Sequence, residues 1–293
     1  MSSQPLVSVV IASYNHGPYI EQSILSVLGQ TYPNIELLVV DDGSKDDSVE
    51  RITRLQAEHG FDFQTQQNQG LTRTLNGAIA RTRGSLIVSF GSDDIMFPER
   101  IATQVAHMAD KPEVGICAGN IELIDSHGEL RPEKRQRRDL PFRRLSFDDV
   151  FMGLKPLPPA PTLMLRREAL DKVGGFDPDI PLEDLCIELK ITRAGYYIDV
   201  LNVVMAQYRQ HATNTYKNHR FMIENVLKTY ALFSDHPGYD VARYKFLNSM
   251  FVKIANRDRA LARELFKQLP FKYFDSKTWR GLGRLFFSRQ HRG

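Results

Sequence analysis

Cysteine is scarce in this chain: Cys117 and Cys186 are the two among 293 residues, far apart and without a Cys-x-x-Cys spacing. That removes disulfide-framed small domains and thiolate metal centres, and it makes a reducing cytosol the simpler compartment. Long apolar runs are missing as well. None approaches the roughly 20 residues that a bilayer-crossing helix needs, and Met1 to Leu6 lacks the basic stretch and apolar core of a signal peptide. The expectation is a cytoplasmic protein whose membrane contact, if any, is peripheral. Charge of one sign is not in excess either, with 38 Lys and Arg against 35 Asp and Glu, so bulk charge does not point to nucleic acid. Where a dinucleotide oxidoreductase needs Gly-x-Gly-x-x-Gly the chain has Ser13-Tyr14-Asn15-His16-Gly17, and no Gly-x-x-x-x-Gly-Lys-Ser/Thr phosphate loop occurs.

What is present is a folded-protein balance, 42% hydrophobic and 25% charged, arranged as alternating strands and helices. Leu6 to Ala12 is a short β-branched run that reads as a buried strand. A helix follows, with Pro18 in its first turn and Ile20, Ile24, Val27 and Leu28 on one stripe. Ile35 to Val40 reads as a strand ending in Asp41-Asp42-Gly43-Ser44, and about Asp46 to Glu58 as a helix capped by Asp46 or Ser44. Phe61 to Gln66 is a strand, Leu71 to Arg81 a helix, Ser85 to Phe90 a strand ended by Gly91-Ser92-Asp93-Asp94, and Glu99 to Met108 a helix. This order predicts a parallel α/β sheet. Val114 to Leu123 continues it, and Arg131 to Arg144 reads as a mobile basic loop. Pro156, Pro158, Pro159 and Pro161 exclude regular structure around them. Thr162 to Leu165 is a strand, Glu168 to Val173 a short helix, Glu183 to Arg193 a helix stopped by Gly195, and Tyr197 to Tyr208 a strand. From Arg220 the pattern is helical, with Ile223, Val226, Leu227, Tyr230 and Ala231 on one stripe.

In an open parallel sheet, ligands bind beyond the carboxyl ends of the strands, where loops converge. The polar clusters Ser13-Tyr14-Asn15, Asp41-Asp42 and Asp93-Asp94 fall at three such ends. Each alone reads equally well as turn and cap chemistry; together they favour one binding crevice. Asp93 and Asp94 have no lysine or arginine beside them, and a divalent cation relieves their repulsion. Oxygen ligation suits magnesium or manganese, which bind through one or two carboxylates plus substrate phosphates.

Val7-Ser8-Val9-Val10-Ile11-Ala12-Ser13-Tyr14-Asn15, Val39-Val40-Asp41-Asp42-Gly43-Ser44, Asn68-Gln69-Gly70 and Ser92-Asp93-Asp94 with Pro98 follow one another in this order. Downstream stand Gly174-Gly175-Phe176-Asp177, Leu182-Glu183-Asp184 and Arg193-Ala194-Gly195-Tyr196. In order and spacing these segments resemble family 2 of the glycosyltransferases over about residues 5 to 215. The resemblance implies a GT-A (Rossmann-like) α/β fold, a mostly parallel sheet flanked by helices, spanning residues 1–215, with a donor half over 1–125 and an acceptor half over 126–215. A helical extension over 216–293 follows it. It also implies an inverting transferase moving a sugar from a nucleotide-diphosphate donor to a hydroxyl. By motif, Ser13, Tyr14, Asn15 and Asp41 would hold base and ribose, and Asn68, Gly70 and Arg73 would lie on a loop closing over the base, with pairing to a phosphate the alternative for Arg73. Asp93 would hold ribose or metal, and Asp94 metal and diphosphate. Asp184 would be the base that deprotonates the acceptor, with Glu183 beside it. Tyr208-Arg209-Gln210-His211 with Asn214 is similar to an Arg-x-His-x-x-Asn segment of some members, which would bring Arg209 or His211 to the diphosphate or metal. One departure is Gly91, where the family often has a third acid.

The acceptor implied is a growing cell-surface glycan such as lipopolysaccharide or exopolysaccharide, and the donor dTDP-rhamnose or a UDP-hexose. Two basic clusters extend this reading. Arg131, Lys134, Arg135, Arg137, Arg138, Arg143 and Arg144 would suit an anionic glycan or glycolipid acceptor. Lys277, Arg280, Arg284, Arg289 and Arg292 alternate with Trp279, Leu282, Leu285, Phe286 and Phe287, which suits an interfacial helix as well as one packed on the domain. Nucleic acid is disfavoured, since Phe142 alone in the basic loop could stack on a base. The competing reading is a catalytically inactive nucleotide-sugar-binding or interaction protein, with Gly91 as the first sign of lost activity.

Overall fold

A computed structural model describes residues 4–131 and 139–287. Lys134, Arg135, Arg137 and Arg138 of the basic segment, and Arg289 and Arg292 of the C-terminus, lie outside the described residues. Two compact units emerge, one of residues 1–150 and 155–212, the other of residues 151–154 and 213–293.

The first unit runs β1 (Val7–Ser13), α1 (Gly17–Leu28), β2 (Ile35–Asp41), α2 (Ser48–His59), β3 (Asp62–Thr65), α3 (Leu71–Ile79), β4 (Leu86–Gly91), β5 (Ile95–Met96), α4 (Arg100–Met108) and β6 (Val114–Asp125). It continues with β7 (Arg143–Leu145), α5 (Phe147–Phe151), β8 (Met164–Arg166), α6 (Arg167–Lys172), α7 (Glu183–Arg193) and β9 (Tyr197–Gln210). The sheet has the order β3-β2-β1-β4-β8-β6-β9-β5, with β7 also on β9. Its long pairings, β1 with β2 and β4 and β6 with β9, are parallel, whereas β8 joins the two parallel sections through short antiparallel contacts with β4 and β6. The continuous apolar reading of β1 has a direct cause: Val7, Val9, Val10 and Ile11 are all fully buried, as a central strand covered on both faces requires. Ile20 and Ile24 of α1, Ile52 of α2 and Val39 of β2 join that core, each such side chain contributing about 1.5–3 kcal/mol on burial.

Three parts differ from the expectation. Residues 143–145 are a strand rather than the end of a loop: Arg143 donates through Nε to Pro156 O, and Arg144 forks onto the buried Asp199 at 2.7 and 2.8 Å. Both arginines are thereby tied into the fold. The strand expected from Thr162 begins at Met164, because residues 160–162 form a 3-10 turn in which Thr162 Oγ donates to Pro159 O. The pair Ile95–Met96, too short to show a period, forms β5 against Gln207 and Ala206 of β9.

The second unit contains α8 (His219–Ala231), α9 (Tyr239–Ile254), α10 (Arg259–Lys267) and α11 (Ser276–Phe287). Asn218 and Asp258 cap α8 and α10 through their side chains. Leu247, Phe251, Leu261, Leu265 and Leu285 form its own core. Gly281 permits the closest approach, since a Cβ there would stand 2.4 Å from the Phe251 ring.

Candidate active site

The carboxyl ends of β1, β2, β4 and β9 carry the polar groups. At the end of β1, Ser13 is fully buried and its main-chain O accepts from Asp42 N at 2.8 Å. Tyr14 next to it is exposed. Asn15 takes a left-handed conformation, φ 54°, which short polar side chains tolerate. That bend lets Asn15 N donate to Ser44 Oγ while Asn15 Oδ1 accepts from Lys45 N, both at 2.8 Å. The first and second strand ends are thus stitched together.

Asp41 and Asp42 divide the labour of the second end. Asp41 is fully buried and accepts from Gly43 N, Ser44 N and Ser44 Oγ, so its carboxylate shapes the turn. Asp42 accepts from Gln69 N and Gly70 N at 2.9 Å and from Gln66 Nε2 at 2.8 Å. It therefore anchors the loop on which Asn68 and Gly70 stand exposed, a role the sequence reading did not give it. Gly70 at φ 85° and ψ 158° occupies a region that only glycine enters readily, which is the sequence signal of a sharply turned loop.

At the end of β4, Asp93 and Asp94 point to different partners. Asp93 Oδ2 lies 2.8 Å from His211 Nε2, and the Asp93 main-chain O accepts from Arg209 Nε at 2.7 Å. Burial pushes the Asp93 carboxyl up, but the His211 hydrogen bond and the charges of His16 and His211 outweigh it and leave it below its ordinary value. Asp94 Oδ1 accepts from Arg209 N at 2.9 Å, and burial followed by the Asp93 charge drives its carboxyl well above the usual range. Gly91 has a steric role here, since a Cβ would come 2.8 Å from Asp94 Oδ2 and 3.0 Å from Asp93 Oδ1.

The sequence assigned a cation to Asp93, Asp94 and His211. The structure groups Asp93 and His211 with His16, all three ligand atoms lying within 4.8 Å of one another. Two imidazoles and a carboxylate are a donor set that fits a divalent ion. His16, the residue missed, stands just beyond β1, and Ser92 Oγ lies 2.7 Å from its Nδ1. Burial lowers its proton affinity, against the pull of Asp93, and so favours the neutral imidazole that ligates metals.

Arg209, expected at the diphosphate, is turned inward and 1% exposed. It donates to Asp93 O, to Asp125 O at 3.3 Å and to Gln22 Oε1 at 2.6 Å, and it covers the Tyr19 ring at 5.0 Å. Arg73, expected over the base, pairs with Asp179 at 3.0 Å on the surface.

That pair matters for Asp184. Asn76 of α3 also bonds both ways to the main chain of Phe176, N–H to Oδ1 at 3.0 Å and Nδ2 to O at 2.8 Å. The segment leading into α7 is therefore fixed beside the helix that follows Asn68 and Gly70. From there α7 packs back towards β6, with Ile191 against Gly115, and returns through Gly195 to β9. Glu183 and Asp184 stand at the start of α7, where the helix macrodipole favours negative charge. They face no cation among the described hydrogen bonds and ion pairs. Burial raises the Asp184 carboxyl, and burial together with the Asp184 charge raises Glu183 to about 8. One turn on, the buried Glu188 is pushed well above its ordinary value by burial and by both neighbours.

A solved mannosyltransferase from Pyrobaculum calidifontis in complex with GDP-Man and Mn2+ superposes with a TM-score of 0.64 at 18% identity, over 97% of this chain and 88% of that one. S. aureus TarS 1-349 in complex with UDP-GlcNAc gives 0.63 at 18% identity, over 84% of this chain and 72% of that one. At such identities these likenesses establish the GT-A fold alone. An uncharacterized glycosyltransferase of Nostoc sp. is 29% identical over 307 residues, covering 98% of this chain and 91% of the relative. The family model described as glycosyl transferase family 2 matches residues 8–174. That match spans more than half of the chain, and the protein is a member of glycosyl transferase family 2.

Proposed function

We propose that the protein is an inverting transferase that moves a sugar from a nucleotide-diphosphate donor, dTDP-rhamnose or a UDP-hexose, to a hydroxyl of a growing cell-surface glycan. The observation that carries this reading is the meeting of Asp93, beyond the end of β4, with His211, beyond the end of β9, together with the tie of the segment preceding Asp184 to α3 through Arg73 and Asn76. Tyr14, Asn68 and Gly70 line the exposed rim available to base and ribose. Asp184 accepts the proton of the acceptor hydroxyl as that oxygen bonds to the anomeric carbon, opposite the breaking bond to the diphosphate. Its raised proton affinity makes it the stronger base for that step. Burial of its carboxyl supplies that rise. A divalent cation, when bound by Asp93 and His211, would neutralise the departing diphosphate.

The donor is tested by thermal shift with UDP-, dTDP- and GDP-sugars, each with and without manganese. Binding at a hundredfold excess over Kd stabilises by about 2.7 kcal/mol, so the true donor raises the melting temperature and manganese raises it further. Silence from every donor would turn the reading to the inactive binder.

A cytoplasmic protein working on a lipid-linked acceptor would gain from resting on the membrane face, and α11 supports that contact. Trp279, Phe286 and Phe287 are 58, 65 and 90% exposed beside the exposed Arg280 and Arg284. Among the described residues no helix is long and apolar enough to cross a membrane. Replacing the three aromatics with serine is expected to abolish flotation with anionic liposomes; unchanged flotation removes the idea.

A further inference from the structure

We propose that His16 is a third protein ligand of the cation site, so that the site is nitrogen-rich and selects transition ions over magnesium. The inference rests on the donor-binding reading only for the purpose of the cation; the site itself is defined by its own geometry.

His16, Asp93 and His211 come from the ends of three different strands, yet their ligand atoms fall within 4.8 Å of one another. The 2.8 Å between Asp93 Oδ2 and His211 Nε2 is close to the roughly 3 Å that separates neighbouring ligands around an octahedral ion with bonds near 2.1 Å. The His16 and His211 rings stand edge to face with centroids 5.6 Å apart, and Tyr19 packs on both, at 6.0 Å from His16 and 5.1 Å from His211. Neither ring is free to swing away. Ser92 Oγ at Nδ1 of His16 is a neighbouring hydrogen bond of the kind that orients ligating imidazoles. The adjoining His16 N–H donates to Ser48 Oγ at 3.1 Å, which fixes the main chain from which the ring projects.

Asp94 is not one of this group. Its carboxylate is 4% exposed and one oxygen is occupied by Arg209 N. A site of two carboxylates would prefer a hard ion, magnesium included; exchanging one carboxylate for an imidazole moves the preference along the transition series. Manganese remains acceptable and cobalt becomes better.

The test is binding in the absence of donor, so that it reads the site and not turnover. Manganese chloride titrated into the protein is followed by the electron paramagnetic signal of the free ion, cobalt chloride by visible absorption, and magnesium by competition. The expected ranking is cobalt, then manganese, then magnesium. His16→Asn is expected to weaken manganese and cobalt at least tenfold, the lower end of what disturbing a metal-bound imidazole costs, while Asp94→Asn, tested alongside it, weakens them less. Asp184→Asn should lower turnover by about 10²- to 10⁴-fold and leave metal affinity intact, which separates failure of this site from failure of the transferase reading. Unchanged affinity in His16→Asn overturns the proposal. So does a magnesium preference, or a wild-type protein that takes up none of the three ions at millimolar concentration.

Discussion

Asp184→Asn is expected to lower kcat by about 10²- to 10⁴-fold, the range that a positioned general base contributes, with the dissociation constant of the donor unchanged. The carboxamide preserves shape and the hydrogen bond from Leu185 N, which Asp184 Oδ1 accepts at 2.7 Å, but it cannot take a proton. Turnover at saturating donor and calorimetric donor binding measure the two quantities separately. A loss of only a few-fold would move the base elsewhere, with Glu183 the next residue to replace. The same carboxyls set a pH dependence. Because burial raises Asp184 and carries Glu183 to about 8, the rising limb of kcat should lie above the ordinary carboxylate range. Stability should run the other way. A carboxyl whose folded value exceeds its unfolded value favours folding in its protonated form, so that contribution is complete below the ordinary range and fades as pH climbs through the folded value near 8.

Arg209→Ala is expected to cost about 3 kcal/mol or more in urea unfolding. Charged hydrogen bonds are each worth about 1.5–3 kcal/mol, and this fully enclosed guanidinium makes bonds to Asp93 O, Asp125 O and Gln22 Oε1. Removing it strips those three acceptors of their charged donor and withdraws a positive charge from beside Asp94. Arg209→Lys keeps the charge but not the planar fork, and should recover only part of the loss. A change below about 1 kcal/mol would mean that the side chain is a ligand group after all, and donor binding would then have to fall instead.

The contrast between those two residues shows what the sequence could and could not convey. Strands β1, β2 and β4 were legible because a covered strand must be apolar without interruption, and the acids at their ends followed from the topology. Hidden from any reading of residue types was the direction of each side chain. Asp93 and Asp94 are adjacent, so one faces the cluster of histidines and the other the main chain of β9, and only the pairing of β5 with β9 decides which. Arg209 and His211 share one face of the same extended segment, two residues apart, and both are enclosed, which turns one into a strut and leaves the other at Asp93. Residues 143–145 were illegible for another reason: in a basic stretch an alternation three residues long carries no period, and Asp199, which pairs with Arg144, lies 55 residues on. His16 escaped notice because a single histidine after a strand is ordinary until two more ligands are seen beside it.

The strand β9 has one further consequence. It is synthesised after every other strand of the sheet, yet it lies between β6 and β5 in space, with β7 also along it. A nascent chain emerging from the ribosome therefore completes β1, β2 and β4 with their acids in place while Asp93 still lacks its imidazole partner 118 positions downstream. Non-local pairings of this kind form late, so the newborn protein acquires its histidine-lined pocket only once translation has passed His211.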